Sequence, residues 1–424
     1  MRDRAVHGWA LAGVFVLALA VRLGATAAFV GLNAPPSASA NPDQLDYDAF
    51  AWRLAQGEGF TLDDGTPTSR RPPGVSAAIA PVYALFGRSY AAARIWLAVL
   101  SAATCVACAG LATAAFGRLT GVLAGVGLAL YPGHFYPAMH MLSETPYMLG
   151  LALATWATLV SVRQRSLGWA TAAGVLWGLT MLVRPQVLLL PVLALPLVLL
   201  LRDYRRLVVV QCATCVLVLL PWIVRNAVVM DRVCLTTGFG HVMWGAHNPR
   251  TFGDPAWRGR WVPTSDLLRE HPFRGGEAAL DAHAMQQAKR EIAIHWRQMP
   301  ALTAMKVVRF FEPIHDTPNA RAKLAYTVGW GVTALLLLPG VILAWLRDRT
   351  ATVVLLLPFA ATLAMTLLTY GLDRFRDSAA PVFIPFAAVA VAAAMACVRP
   401  SRETISPAIS RGEREQAPQL TCPS

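Results

Sequence analysis

Three aspartates within six residues, Asp43, Asp46 and Asp48, follow closely on a long apolar run. Two arginines, Arg70 and Arg71, precede a Pro-Pro-Gly turn in the same polar segment. Further along, Glu144, Arg184 and the triplet Arg374-Phe375-Arg376 stand at the ends of apolar runs. A carboxylate held at a membrane surface suits the work of a general base. A guanidinium suits phosphate, because its planar fork matches two phosphate oxygens at once. Pro72 and Pro73 fix the backbone around the arginine pair, so a rigid turn presents these groups at a set place. Acid and arginine together fit group transfer away from a phosphate leaving group.

Each of these residues also has a plain account. Asp43 equally suits an acidic cap on a helix whose apolar face is Tyr47, Phe50, Ala51 and Leu54. Arg70 and Arg71 equally suit a pair that snorkels at the headgroup level. Ser143 and Glu144 suit the first turn of an apolar helix. His247-Asn248-Pro249 reads as a turn, and His241 and His247 lack the helical spacing of metal ligands. Cys105/Cys108 and Cys212/Cys215 have CxxC spacing, yet both pairs lie inside apolar runs and read as small packing residues.

The elements that carry these residues are membrane spans. The chain has 424 residues, 56% hydrophobic and 14% charged, against about a quarter charged in ordinary soluble domains. The apolar residues fall in long blocks, and a span needs about 20 of them in helical form. About ten segments approach that length, at roughly 8–31, 92–115, 119–138, 145–162, 167–183, 186–201, 207–224, 323–346, 351–370 and 379–398. The first reads as a retained span rather than a cleaved leader. The expected fold is therefore all-α and polytopic over 1–400, with a polar, disordered tail at 401–424.

Short loops set the orientation. Arg118, Arg163, Arg165, Arg202, Arg205, Arg206, Arg347 and Arg349 all fall on one side, with Arg399 and Arg402 in the tail. That side is expected to be cytoplasmic and to hold both termini. Two long segments, about 32–91 and 225–322, then form folded caps on the other side. The charge is +13, but no soluble segment interleaves basic and aromatic residues. Lipid headgroups and a phosphate-bearing lipid are the expected partners, and nucleic acid is excluded. There is no phosphate-binding P-loop, so energy from ATP is not expected.

Topology thus brings Asp43, Arg70, Arg71, Glu144, Arg184, Arg374 and Arg376 to one membrane surface. The sequence here resembles the GT-C superfamily of membrane glycosyltransferases, in the branch of protein O-mannosyltransferases and lipid A aminoarabinose transferases. The likeness spans roughly residues 8–390 and rests on an ordered series. Asp43-x-x-x-Tyr47 is followed by Gly57-x-Gly59-Phe60, Arg71-Pro72-Pro73-Gly74 and Leu85-Phe86-Gly87. Tyr131-Pro132, Ser143-Glu144 and Gly178-Leu179 through Arg184-Pro185 come next, then Asn248-Pro249 and Arg374-Phe375-Arg376 ahead of Pro381. Gln44 stands where many relatives have an acid.

The resemblance implies an inverting transferase that moves a sugar from a polyprenyl-phosphate carrier to a cell-envelope acceptor. It implies Asp43 as the catalytic base, with Asp46 the alternative. It places Arg70, Arg71, Arg374 and Arg376 on the donor phosphate, and Tyr47, Glu144, Arg184, His247 and Asn248 around the substrate. No cofactor is expected, and a divalent metal is not favoured. The rival from another class is a transporter or flippase, which would place its charges near the membrane midplane in paired broken helices.

Overall fold

A bilayer offers the backbone no hydrogen-bond partner, so an apolar run must satisfy itself as a helix. The computed structural model describes residues 2–38, 41–200, 202–313 and 320–398, and among them there are helices and no strand; one isolated bridge joins Thr61 to Pro67. The tail expected to be disordered lies outside the described residues.

In chain order the α-helices are α1 Arg2–Phe29, α2 Asp43–Ala55, α3 Gly74–Phe86, α4 Tyr90–Phe116, α5 Arg118–Leu130, α6 Pro132–Met139, α7 Glu144–Gln164, α8 Leu167–Val183, α9 Leu190–Leu200 and α10 Arg205–Val229. There follow α11 Phe239–Ala246, α12 Pro249–Gly253, α13 Thr264–Glu270, α14 Glu277–Ile294, α15 Met299–Phe311, α16 Ala320–Arg347, α17 Arg349–Leu368, α18 Asp373–Ser378 and α19 Ala380–Val398. Among the described residues seven of them, α1, α4, α7, α10, α16, α17 and α19, are long and apolar enough to cross a membrane. α8 and the chain to Leu195 form a pair bent by 118° at Arg184-Pro185, where a reversal is expected, and would add an eighth span if counted as one.

Three of the ten expected spans do not stand as separate long helices: 167–183 and 186–201 form the bent pair, and 119–138 is broken. The segment 119–138 is not continuous: α5 ends at Leu130, Tyr131 is extended, and α6 starts at Pro132. Pro132 has no N–H to give back to the helix, which stops α5 there. The freed carbonyls of Leu128 and Ala129 accept from the Arg22 guanidinium of α1, at 3.5 and 2.6 Å. Arg22 is fully buried and also donates to Ser101 Oγ at 3.0 Å.

Small residues let the spans approach. Ala98, Ala102, Cys105, Cys108, Ala109 and Ala112 of α4 are buried. Every described cysteine is free, and no described group of three His, Cys, Asp or Glu side chains could hold a metal ion.

The polar segment after α1 folds against this bundle. Asp48 accepts from Tyr83 at 2.5 Å and from Arg88 at 2.6 Å, which locks α2 onto α3. The segment between α10 and α16 is itself helical, with Trp244, Val262, Leu267, Ala284 and Ala288 packed as a separate small core.

Candidate functional site

The first turn of α2 carries Asp43, Asp46 and Tyr47, and its N-terminal end favours the acids. The turn before α3 brings Arg70 and Arg71 to meet them. Gly74 explains how the turn comes so close to the bundle. A Cβ there would stand 2.6 Å from Val183 Cγ2 and 2.9 Å from the Leu182 carbonyl. The arginine pair is thereby pressed against the C-terminal end of α8, next to Arg184.

The segment ahead of the turn is fastened from a second direction. Glu277 of α14 accepts from Thr68 Oγ1 at 2.5 Å and from the Ser69 backbone at 2.9 Å, and it also bonds Thr237. Arg225 of α10 donates to the carbonyls of Thr68 and Phe60, at 2.7 and 2.9 Å.

The side chains then form one alternating chain of charge. Arg70 pairs with Asp46. Arg71 bridges both acids, with Nε 3.0 Å from Asp46 Oδ2 and Nη2 2.7 Å from Asp43 Oδ1. Arg374 lies 3.6 Å from the other oxygen of Asp43 and 2.7 Å from Glu144 Oε1. Glu144 also pairs with Arg184. Four guanidiniums thus share three carboxylates, which leaves the cluster one positive charge in excess. The Asp43 side chain is 25% exposed and that of Glu144 only 1%. Glu144 is the sealed carboxylate of the chain, and Asp43 and Asp46, the latter 19% exposed, are the reachable ones.

Burial alone would lower the proton affinity of Arg71; the charges of Asp43, Tyr47 and Asp46 outweigh it and hold the proton more firmly than usual. Burial acts the same way on Arg374, and Glu144 and Asp43 again outweigh it. Both stay cationic at any working pH. Burial pushes the Tyr47 phenol up, and its ring lies 5.8 Å below the Arg71 guanidinium.

In the charge network as it stands, arginines take the places beside the acids. Arg71 stands between Asp43 and Asp46, and Glu144 faces two arginines.

Fold and site can now be set beside known proteins. Residues 70–227 match the family model described as dolichyl-phosphate-mannose-protein mannosyltransferase. The archaeal oligosaccharyltransferase AglB from Archaeoglobus fulgidus, in complex with an inhibitory peptide and a dolichol-phosphate, is similar in structure at a TM-score of 0.56 and 14% identity, over 93% of this chain and 51% of that one. The chain has a GT-C fold.

A second structure of that oligosaccharyltransferase, in complex with Zn and sulfate, is similar at a TM-score of 0.55 and 15% identity, over 92% of this chain and 49% of that one. The chain therefore spans about half the length of that oligosaccharyltransferase. ArnT from Cupriavidus metallidurans, bound to undecaprenyl phosphate, is similar at a TM-score of 0.45 and 16% identity, over 91% of this chain and 79% of that one. No curated protein matches the sequence.

Within this GT-C fold an apolar cleft of about 500 Å³ lies among α7, α8, α9, α10 and α17. Trp177, Met181, Leu188, Leu219, Leu357 and Pro358 line it. Met181 and Leu188, three residues before and four after Arg184 in the chain, belong to its lining. Tyr204 and Arg349 border its far part.

The structure gathers Asp43, Asp46, Tyr47, Arg70, Arg71, Glu144, Arg184 and Arg374 into one site. Three residues expected with them stand elsewhere. Arg376 is buried away from the cluster, paired with Asp377 at 2.8 Å and lying 4.0 Å over the Trp330 ring. Asn248 spends its side chain on the Trp244 and Gly245 carbonyls and on capping α12. His247 is buried, with Nδ1 at 3.0 Å from the Met243 carbonyl and Nε2 at 2.9 Å from Lys306 Nζ. None of the three reaches Asp43 through the contacts it makes.

Four further residues brace the segments that carry the site, and none was among the expected site residues. Glu277 and Arg225 hold the Thr68–Ser69 segment. Gln186 holds α18 in place through the Phe375 carbonyl at 3.1 Å and Ser378 Oγ at 3.1 Å. Tyr370, just before α18, packs its ring 4.9 Å from Phe375 and 6.2 Å from Trp261. Burial pushes its phenol up to about 12. Only the order Tyr-Gly-Leu-Asp-Arg-Phe-Arg hinted at it.

Proposed function

We propose that the protein is an inverting glycosyltransferase of the cytoplasmic membrane, moving a sugar from a polyprenyl-phosphate carrier to a cell-envelope acceptor on the outer side. One observation carries the reading: a reachable carboxylate, Asp43, is held between Arg71 and Arg374 in a cluster with one positive charge in excess, in a protein whose spans also enclose an apolar cleft. The excess of positive charge suits a single lipid phosphate, and the cleft suits its prenyl tail. The dolichol-phosphate held by the similar AglB supports the same donor chemistry. Basic short loops support cytoplasmic termini.

The chemistry needs one base and one clamp. Asp43 takes the proton from the acceptor hydroxyl or amine. The acceptor atom then bonds the sugar carbon from the face opposite the phosphate. The bond from carbon to phosphate oxygen breaks, and the electron pair leaves with the lipid phosphate. Phosphate is stable as an anion, so no second carboxyl is needed to protonate it, unlike glycoside hydrolysis. Arg71 and Arg374 stabilise the charge as it forms. In the free protein they neutralise Asp43; donor phosphate draws them off and frees the base.

The test is transfer by purified protein from a polyprenyl-phosphate-linked sugar, with no ion gradient. Asp43→Asn is expected to lower kcat about 10²–10⁴-fold, the range for losing a general base, while the protein still inserts and melts as before. Full activity in that variant overturns the assignment.

A further inference from the structure

The segment between α10 and α16 pairs most of its arginines. Arg232 meets Asp281 at 2.9 Å, Arg269 meets Asp266 at 3.3 Å and Arg309 meets Glu312 at 3.2 Å. Arg250 pairs with Glu270, and Arg260 lies 3.6 Å from Glu312. Arg258, Arg274, Arg290 and Arg297 have no such pair among the described residues, and of these Arg258 and Arg297 share one cleft. Its volume is about 310 Å³, and Thr251, Gln298, Ala301 and Leu302 line it with them. Arg258 donates to the Phe252 carbonyl at 3.2 Å, which fixes its head and leaves the rest of its fork free. Arg297 also stacks over the Trp296 ring at 5.4 Å. Two guanidiniums without a carboxylate on one hollow offer an anion both of their forks.

The place of the cleft says which kind of anion. Gln298, Ala301 and Leu302 come from the start of α15 and the turn before it. The other end of α15 is level with a span: the Phe311 carbonyl accepts from Trp330 Nε1 at 3.1 Å, and Trp330 lies ten residues into α16. The cleft stands at the opposite end of α15, and Gly259, next to Arg258, is hydrogen-bonded to Gly371, three residues past the end of α17. Ile294 and Trp296, just ahead of α15, are 58% and 63% exposed. Exposed tryptophan beside arginine is the pattern of a headgroup-level surface. Arginine forks suit phosphate, and the flanking apolar side chains suit acyl chains.

We propose that the cleft between Arg258 and Arg297 binds the phosphate headgroup of a membrane lipid, at a place separate from the Asp43 cluster. The site does not depend on the transfer reaction. It lies close to the reaction site all the same, because Gly259, next to Arg258, accepts from the Gly371 backbone at 2.8 Å, and Gly371 follows Tyr370.

The experiment titrates the purified full chain in detergent with dioctanoyl-phosphatidylglycerol, followed by native mass spectrometry. Dioctanoylglycerol, which lacks the phosphate, and inorganic phosphate are the two comparison ligands. The wild type is expected to retain the phospholipid, to bind dioctanoylglycerol poorly and to bind inorganic phosphate poorly. The Arg258→Gln/Arg297→Gln double variant is expected to bind the phospholipid roughly ten- to a hundredfold more weakly, the weight of a lost charge-assisted hydrogen bond. Its melting curve checks that it is folded, and Arg258→Lys/Arg297→Lys is expected to recover part of the binding. Arg71→Ala is expected to leave this binding unchanged.

Wild-type affinity in a folded double variant overturns the proposal. So does loss of binding in Arg71→Ala alone, which would put the lipid at the Asp43 cluster. Equal binding of inorganic phosphate makes the cleft a free-anion site and overturns the lipid assignment. None of these results touches the Asp43→Asn assay, so the two readings fail separately.

Discussion

Arg374 and Arg376 stand two residues apart on α18 and meet opposite surroundings. The Arg374 side chain is 19% exposed and shares two carboxylates, Asp43 and Glu144, with other arginines. The Arg376 side chain is 2% exposed and faces Asp377 one to one. Around the second pair everything is closed. Tyr131 donates to Asp377 at 2.6 Å, the Glu312 carbonyl accepts from Arg376 at 2.8 Å, and Gly133 packs directly on Asp377 with no room for a Cβ. The same residue type therefore builds a sealed strut in one place and a reachable, shared cation in the other. Access and surplus of partners make the difference. A sealed pair with matched charge holds helices together, whereas a reachable cation that shares its partner can exchange it for a ligand.

The largest expected effect tests the strut. Arg376→Ala leaves Asp377 buried without its cation, which costs about 3–5 kcal/mol in comparable buried pairs. Burial already pushes the Asp377 carboxyl up, with Arg376 as the chief opposing charge. Arg374→Ala leaves Glu144 with Arg184 and Asp43 with Arg71, so its cost is expected within about 1 kcal/mol. Melting curves of the two variants in one detergent decide the matter. Equal losses would break the comparison.

The next effect sharpens the other half. In Arg374→Ala the KM for the lipid-phosphate donor is expected to rise roughly ten- to a hundredfold, for loss of a charge-assisted contact. Asp377→Asn, corrected for folded protein, is expected to leave that KM unchanged. An unmoved donor KM in Arg374→Ala would reduce it to a second strut.

That contrast also marks what the sequence could tell. The helices were legible, because apolar blocks leave the backbone no other choice in lipid. The gathering of Asp43, Arg71, Glu144, Arg184 and Arg374 was legible too, since alternate crossing puts those segment ends on one surface. The fate of Arg376 was not. It is set by carbonyls at Phe310 and Glu312 and by the ring of Trp330, all distant in sequence. The break at Tyr131 was half legible: Pro132 announces it, but the stop is completed by Arg22, from another helix. His247-Asn248-Pro249 was correctly a turn, yet its chemistry is used up inside the fold.

The smallest effect concerns a cation in a third condition, sealed and without a carboxylate. Lys306 is fully buried, 2.9 Å from His247 Nε2 and 3.0 Å from the Leu367 carbonyl. Burial lowers its pKa from 10.5 to about 8. Burial, and then the Lys306 charge, lowers that of His247 from 6.5 to about 4. Between about 8 and 10.5 the unfolded chain still binds the lysine proton that the folded one has released. Stability from this group therefore rises with pH across that window and is lowest below it. The same sign holds for His247 between about 4 and 6.5. Lys306→Met is expected to flatten the melting temperature above pH 8 and to keep a rise at acid pH. If the wild type already runs flat above pH 8, or the Met variant climbs as steeply, then Lys306 is held by a partner the comparison does not allow. Sealing without a carboxylate would then cost this fold nothing.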